Sequence, residues 1–144
     1  MARMPRVQEV VLPILRAAPE LEGVTFNTWV PDIDYRQFPL VNLRRIGGAR
    51  HLEFPMELGF PTLEITAFSK ESLIHAERIY EDVIETLYTA VRKQTQTPKG
   101  YLHSMREPMG ATQFSSLYAD SWRVQGLVAL GLRPPRNINP KKEI

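Results

Sequence analysis

Residues 71–94, ESLIHAERIYEDVIETLYTAVRKQ, decide the fold. Leu73, Ala76, Tyr80, Val83, Leu87 and Val91 recur at three- and four-residue steps, the spacing that aligns side chains on one face of an α-helix. Ile74, Ile79, Ile84 and Tyr88 widen that stripe, and Glu77, Arg78, Glu81, Asp82, Glu85 and Arg92 occupy the opposite side. So broad an apolar face needs a flat apolar partner, which a sheet supplies. Ser69 is the expected N-cap, and Glu71 in the first turn suits the positive end of the helix dipole. Leu73, Tyr80, Val83, Leu87 and Val91 are therefore expected in the core.

Strand signals lie on both sides of this helix. Upstream, residues 62–68 alternate, with Leu63, Ile65 and Ala67 on one face and Thr62, Glu64 and Thr66 on the other, the mark of a half-buried strand. Residues 40–46 and 24–30 read as two earlier strands, and Gly47-Gly48 is expected to end the first of these. Two long polar loops, residues 31–39 and 47–60, join the three strands. Before them, Val7, Val10, Val11, Ile14 and Leu15 mark a short helix after Pro5, with a kink or early break expected at Pro13. Downstream, residues 101–106 read as a strand, residues 107–110 as a turn or loop, and residues 121–130 as a long closing strand. Trp29 and Trp122, each on an expected strand, are expected in the core. The order α-β-β-β-α-β-β predicts an α+β fold. A mainly antiparallel central sheet is flanked by one short and one long helix, in a single domain over residues 1–134. A basic tail follows at 135–144.

Composition agrees with one ordinary globular domain. The chain has 144 residues, 43% hydrophobic and 24% charged, enough length for a self-sufficient core. No apolar run approaches the length of a membrane span, and no apolar segment of a secretory leader follows the N-terminal Arg3 and Arg6. Cysteine is absent, which removes disulfides, thiolate nucleophiles and cysteine-based zinc sites together and fits a reducing compartment. The net charge of +2 is unevenly placed: residues 133–144 carry four cations against one anion, and the remainder is slightly acidic. The high isoelectric point reflects a tail rather than a basic domain.

Few residues offer chemistry. Asp32 and Asp34 form the best metal-like pair, since carboxylates one residue apart can converge on a hard cation, but no third ligand has a dependable spacing and a turn or interface role fits them better. His51, His75 and His103 are the only histidines, and none stands in a recognisable nucleophile–base pattern. P-loop, G-x-S-x-G and H-E-x-x-H signatures are missing. An enzyme, a cofactor and a resident metal are therefore not expected. Arg44, Arg45 and Arg50 make the densest internal basic cluster, yet neighbours on a regular strand face opposite sides, which argues against one phosphate-binding patch. These arginines, with Asp32, Asp34, Tyr35, Phe38 and the tail residue Arg136, are the residues expected at interfaces.

The pattern from Val7 to about Pro134 resembles the tail terminator, or tail-completion, proteins of long-tailed bacteriophages. The resemblance is carried by Val10-Val11-Leu12-Pro13-Ile14-Leu15, by Phe60-Pro61-Thr62-Leu63-Glu64-Ile65, by the long helix, and by Trp122-Arg123-Val124-Gln125-Gly126-Leu127-Val128. It implies a virion protein of the tail and neck, assembled in the host cytoplasm, without membrane contact. It further implies a homo-oligomeric, hexameric ring that meets the tail-tube protein on one side and the head–tail connector on the other. DNA would pass through the lumen without being read. Two other readings stay open: another head–tail joining or neck protein, and a small nucleic-acid-binding module using Arg44, Arg45, Arg50 and the tail.

Overall fold

The computed structural model describes residues 4–30, 36–115 and 121–136. Helix α1 (Val7–Arg16) is followed by a 3₁₀ turn (Pro19–Leu21) and the short strand β1 (Thr25–Asn27). Strands β2 (Leu40–Arg50) and β3 (Gly59–Ser69) precede helix α2 (Leu73–Lys93), and β4 (Tyr101–Phe114) and β5 (Trp122–Arg133) close the chain. The five strands form one sheet in the order β1-β2-β3-β5-β4. Only β1 and β2 run parallel; the other neighbours are antiparallel. Because β5 lies between β3 and β4, the unit β3-α2-β4 is a split β-α-β, with a helical crossover joining strands of the same direction.

Both helices contribute to one core. Val7, Val10, Val11 and Leu15 of α1 are fully buried, as are Tyr80, Val83 and Leu87 of α2, and they join Leu43, Leu63, Ile65, Val128 and Leu130 from the sheet. Each such aliphatic side chain stabilises the fold by roughly 1.5–3 kcal/mol. Leu73 and Val91, near the two ends of α2, are half-buried and pack against this cluster. Alternation in β3 and β5 sends Leu63, Ile65, Ala67, Val124 and Val128 to the core, while Thr62, Glu64, Gln125 and Leu127 point to the opposite face of the sheet. Tyr80 stands on Gly126: a Cβ at that glycine would come 1.8 Å from the Tyr80 hydroxyl oxygen.

Several local expectations are corrected. Trp122 is 44% exposed and Trp29 65% exposed; Trp29 lies past the end of β1 and Trp122 begins β5, so neither is enclosed as it would be in a strand interior. Ile74 and Tyr88 also face outward from α2. The N-cap is Ser72, whose hydroxyl accepts the His75 backbone N–H at 3.0 Å. Ser69 instead ends β3. Helix α1 runs through Pro13 to Arg16 rather than breaking at it; Pro13 sits close to the C-terminus, and its own carbonyl accepts from Ala17 at 3.1 Å.

Gly47-Gly48 does not end β2. The register moves from Arg45↔Leu63 to Gly48↔Pro61, one more residue on β2 than on β3, so the glycines form a β-bulge inside a longer strand. Residues 107–110 likewise lie inside β4, where register shifts flank Met109. A proline and repeated irregularities are tolerated there because β4 is an edge of the sheet.

Candidate interaction surface

Strand β2 is buried over its first four residues and exposed over its last seven. Its far half, past the pairing with β1, is an exposed sheet edge and forms a hairpin arm with the start of β3, which itself stays paired to β5 as far as Gly59. The bulge shapes the arm's base: Gly47 and Gly48 take φ of 106° and 97°, and a Cβ at Gly48 would lie 2.2 Å from the Phe60 carbonyl oxygen.

The tip, residues 51–58, is held by its own hydrogen bonds. His51 N–H donates to the Leu58 carbonyl at 2.9 Å, and the Glu57 and Leu58 N–H groups both donate to the Phe54 carbonyl at 3.0 Å. The His51 Nδ1 accepts from the Glu53 and Phe54 N–H groups, each at 3.1 Å, which places the neutral ring's proton on Nε2. The same ring stacks on Phe54 with centroids 5.3 Å apart. Arg50 donates to the Pro55 carbonyl at 3.3 Å, and Arg133 to the Glu57 carbonyl at 3.3 Å. A loop so braced presents a fixed surface, on which large apolar side chains stand between Glu53 and Glu57. Leu52 is 98% exposed, Phe54 and Met56 of the same tip are exposed too, and so are Phe60 on β3 and Ile46 farther back on β2.

The expected interface residues fall in different places. Asp32, Asp34 and Tyr35 lie outside the described residues. Phe38 is half-buried, with the Lys70 ammonium 5.1 Å from its ring centroid. Arg44 and Arg45 do face opposite ways: Arg44 pairs across strands with Glu64 at 3.4 Å, while Arg45 opposes Leu63 and donates to the Gly47 carbonyl at 3.2 Å. No single phosphate patch forms from them. Arg136 lies over the Tyr101 ring, 4.7 Å from its centroid, and bonds to the side chains of Gln94 and Gln96 and the hydroxyl of Tyr101. The chain is thus tied to the end of α2 as far as residue 136.

A second surface lies on the helical side. The C-terminal half of α2, the end of α1 with the 3₁₀ turn, and the loop before β4 enclose a groove of about 580 Å³. Glu20, Asp82 and Glu85 line it against one cation, Lys93, and none of these carboxylates is ion-paired among the described residues. The adjoining outer face of α2 is also acidic. Burial raises the pKa of Glu81 above its ordinary value, and the charges of Glu107, Glu85, Asp82 and Glu77 push it further in the same direction. Tyr88 bonds to Glu107 at 2.9 Å, and that bond is the main cause of its raised pKa. Burial, followed by the nearby Glu107, Glu81 and Tyr88, keeps the Tyr80 hydroxyl protonated well beyond the usual range.

One constellation resembles catalytic machinery but is not arranged as a relay. The Ser69 hydroxyl lies 2.6 Å from His75 Nδ1, and a Glu71 carboxylate oxygen lies 2.8 Å from the same nitrogen. In a relay the nucleophile and the acid occupy opposite ring nitrogens. Here they compete for one, and Ser69 is buried at 1% exposure. With Ser69 also accepting the Glu71 N–H at 3.0 Å, the cluster fastens the strand-to-helix turn. Among the described residues no three potential ligands gather around a metal position, and no helix is long and apolar enough to cross a membrane.

Residues 3–139 match the profile of a family described as phage tail termination protein. The chain belongs to that family. Its relatives include the Gene 22 protein of Mycobacterium phage L5, 60% identical over 136 residues that cover 94% of this chain and 98% of the relative. The Gene 22 protein of Mycobacterium phage D29 is 58% identical over 137 residues, covering 95% and 99%. Among solved structures, a chain of the virion of a native gene transfer agent particle superposes with a TM-score of 0.61 at 15% identity, covering 88% of this chain and 94% of that one. At that identity the likeness shows a shared fold. Membership of the family makes the chain a structural component of a phage tail, and the apolar arm belongs to a protein built for assembly.

Proposed function

We propose that this chain closes the head-proximal end of a phage tail tube as a hexameric ring. The ring covers the last ring of tube subunits, stops polymerisation, and replaces the growing face with a docking surface for the head connector. DNA passes through its lumen without being read. The observation that carries this reading is the family match over nearly the whole chain. Two physical features support it. A ring requires two different patches on each subunit that meet head to tail, and the exposed hairpin tip and the acidic groove give one subunit two unlike surfaces. The mechanism is steric, so it asks nothing of the side chains beyond fit.

The arginines on opposite faces of β2 give no support to a nucleic-acid module. Silencing this chain in an infection tests the proposal: the expected lysate holds DNA-filled heads without tails and free tails of irregular, excessive length. Tails of normal length joined to heads in the silenced lysate overturn it.

A further inference from the structure

The chain's own end is led to the rim of the α1–α2 groove. After β5 the backbone reaches Arg136, whose N–H donates to the side-chain oxygen of Gln96 at 3.1 Å. The guanidinium bonds to the Gln94 side chain and the Tyr101 hydroxyl, and lies over the Tyr101 ring. Backbone and side chain are thus both fixed at this point. Gln96 is itself a lining residue of the groove, as are Lys93 before it and Pro98 after it. The segment that follows, Asn137-Ile138-Asn139-Pro140-Lys141-Lys142-Glu143-Ile144, lies outside the described residues. It starts next to the residue held at the rim.

Length and composition suit this segment to the groove. Eight residues reach about 26 Å when extended. The stretch of α2 that lines the groove, Asp82 to Lys93, is about 17 Å long. Pro140 biases Asn139 towards extended backbone, the conformation that such a reach requires. Pro13, Ala17 and Ala90 give the groove apolar walls, and the segment brings Ile138 and Pro140. Glu20, Asp82 and Glu85 outnumber the one lining cation, Lys93, and none of the three is ion-paired among the described residues. Lys141 and Lys142 precede Glu143 and fall within about 20 Å of Arg136 along the chain, so they can reach those carboxylates.

We infer that residues 137–144 fold back along the α1–α2 groove of their own chain, with Ile138 against its apolar walls and the two lysines at its carboxylates. The anchor at Gln96 selects the chain's own groove over that of another copy, because it holds the start of the segment at the rim. An exposed ammonium–carboxylate pair contributes little by itself. The anchor and the apolar contact therefore hold the segment, and the charges fix its course. The seat belongs to the single subunit, whether or not the ring forms. On that side the subunit presents α2 together with its seated tail, a surface still unlike the apolar tip.

NMR of the isotope-labelled full chain beside a chain ending at Arg136 tests the seat. Gln94, Gln96 and Tyr101 touch Arg136 and respond to the shortening in any case, so the informative amides are those of Glu20, Asp82, Glu85 and Thr86. These are expected to shift between the two chains, while Leu52 and Phe54 stay in place. Unshifted amides at those four positions overturn the inference. Unlabelled full chain is then added to the labelled shortened chain. No change is expected; shifts at the same four positions would mean that the tail of one copy seats in another, and would overturn the assignment to its own groove. Lys141→Glu with Lys142→Glu keeps the whole chain and should move the four amides towards their positions in the shortened one. Amides that stay where they are in the unaltered chain would contradict the pairing of the lysines with the groove.

Discussion

At the scale of the residue, packing between α2 and the sheet depends on one absent side chain. Tyr80 fills the place a Cβ at Gly126 would take, with its ring carbon 2.6 Å and its hydroxyl oxygen 1.8 Å from that position. Tyr80 is fully buried and has little room to yield. Gly126→Ala should cost about 1–3 kcal/mol of overpacking, read as a lowered denaturant midpoint; an unchanged midpoint would mean the contact is slack. Charge at the outer face of α2 acts in the other direction on acidity. Glu81 holds its proton more tightly in the folded chain than in the unfolded one, through burial and four neighbouring carboxylates. Its contribution is most favourable below the ordinary glutamate range, and is lost as pH rises through the raised folded value. Glu81→Gln should therefore raise the melting temperature at neutral pH and leave it nearly unchanged in acid. Equal effects at both pH values would contradict the electrostatic cause.

At the scale of the element, the hairpin arm is set by Gly48. Its φ of 97° and the 2.2 Å approach of a Cβ to the Phe60 carbonyl oxygen leave no place for a side chain. Gly48→Ala should loosen the arm, speeding limited proteolysis within residues 51–58 by about tenfold, since local opening rises with lost hydrogen bonds. The protease resistance of α2 should persist; cleavage of α2 at the same rate would mean that the arm is not a separate unit. The same bulge explains what sequence reading could reach. Strict alternation made β3 and β5 legible, and the three-four spacing made α2 legible, because each pattern reports one buried face. Gly47-Gly48 and residues 107–110 carry the same local chemistry as turns. They lie inside strands because the ladder resumes beyond them, a long-range fact that no local window contains. The serines at 69 and 72 both suit a cap, and only the helix start distinguishes them.

At the scale of the whole molecule, the interaction surface was only half legible. Basic residues in strand β2 were visible as a cluster, and their alternation already spoke against a phosphate site. The apolar tip was not foreseen. Leu52, Phe54 and Met56 alternate with Glu53, Pro55 and Glu57 as a half-buried strand would, but the segment turns instead of pairing, so no sheet face covers them. Three large apolar side chains within five residues of an irregular segment were the available signal. Trp29 and Trp122 failed for the related reason that strand ends, unlike strand interiors, leave a large ring open to solvent. A closed core with a braced apolar tip and a separate acidic groove leaves two unlike surfaces open among the described residues, which suits the proposed role in tail termination. The most direct test of that role is negative-stain electron microscopy of the purified protein mixed with tail-tube protein, beside each component alone. Rings seated at tube ends, with tubes held to a defined length, are the predicted result, whereas tubes that lengthen unchanged with bare ends would contradict termination.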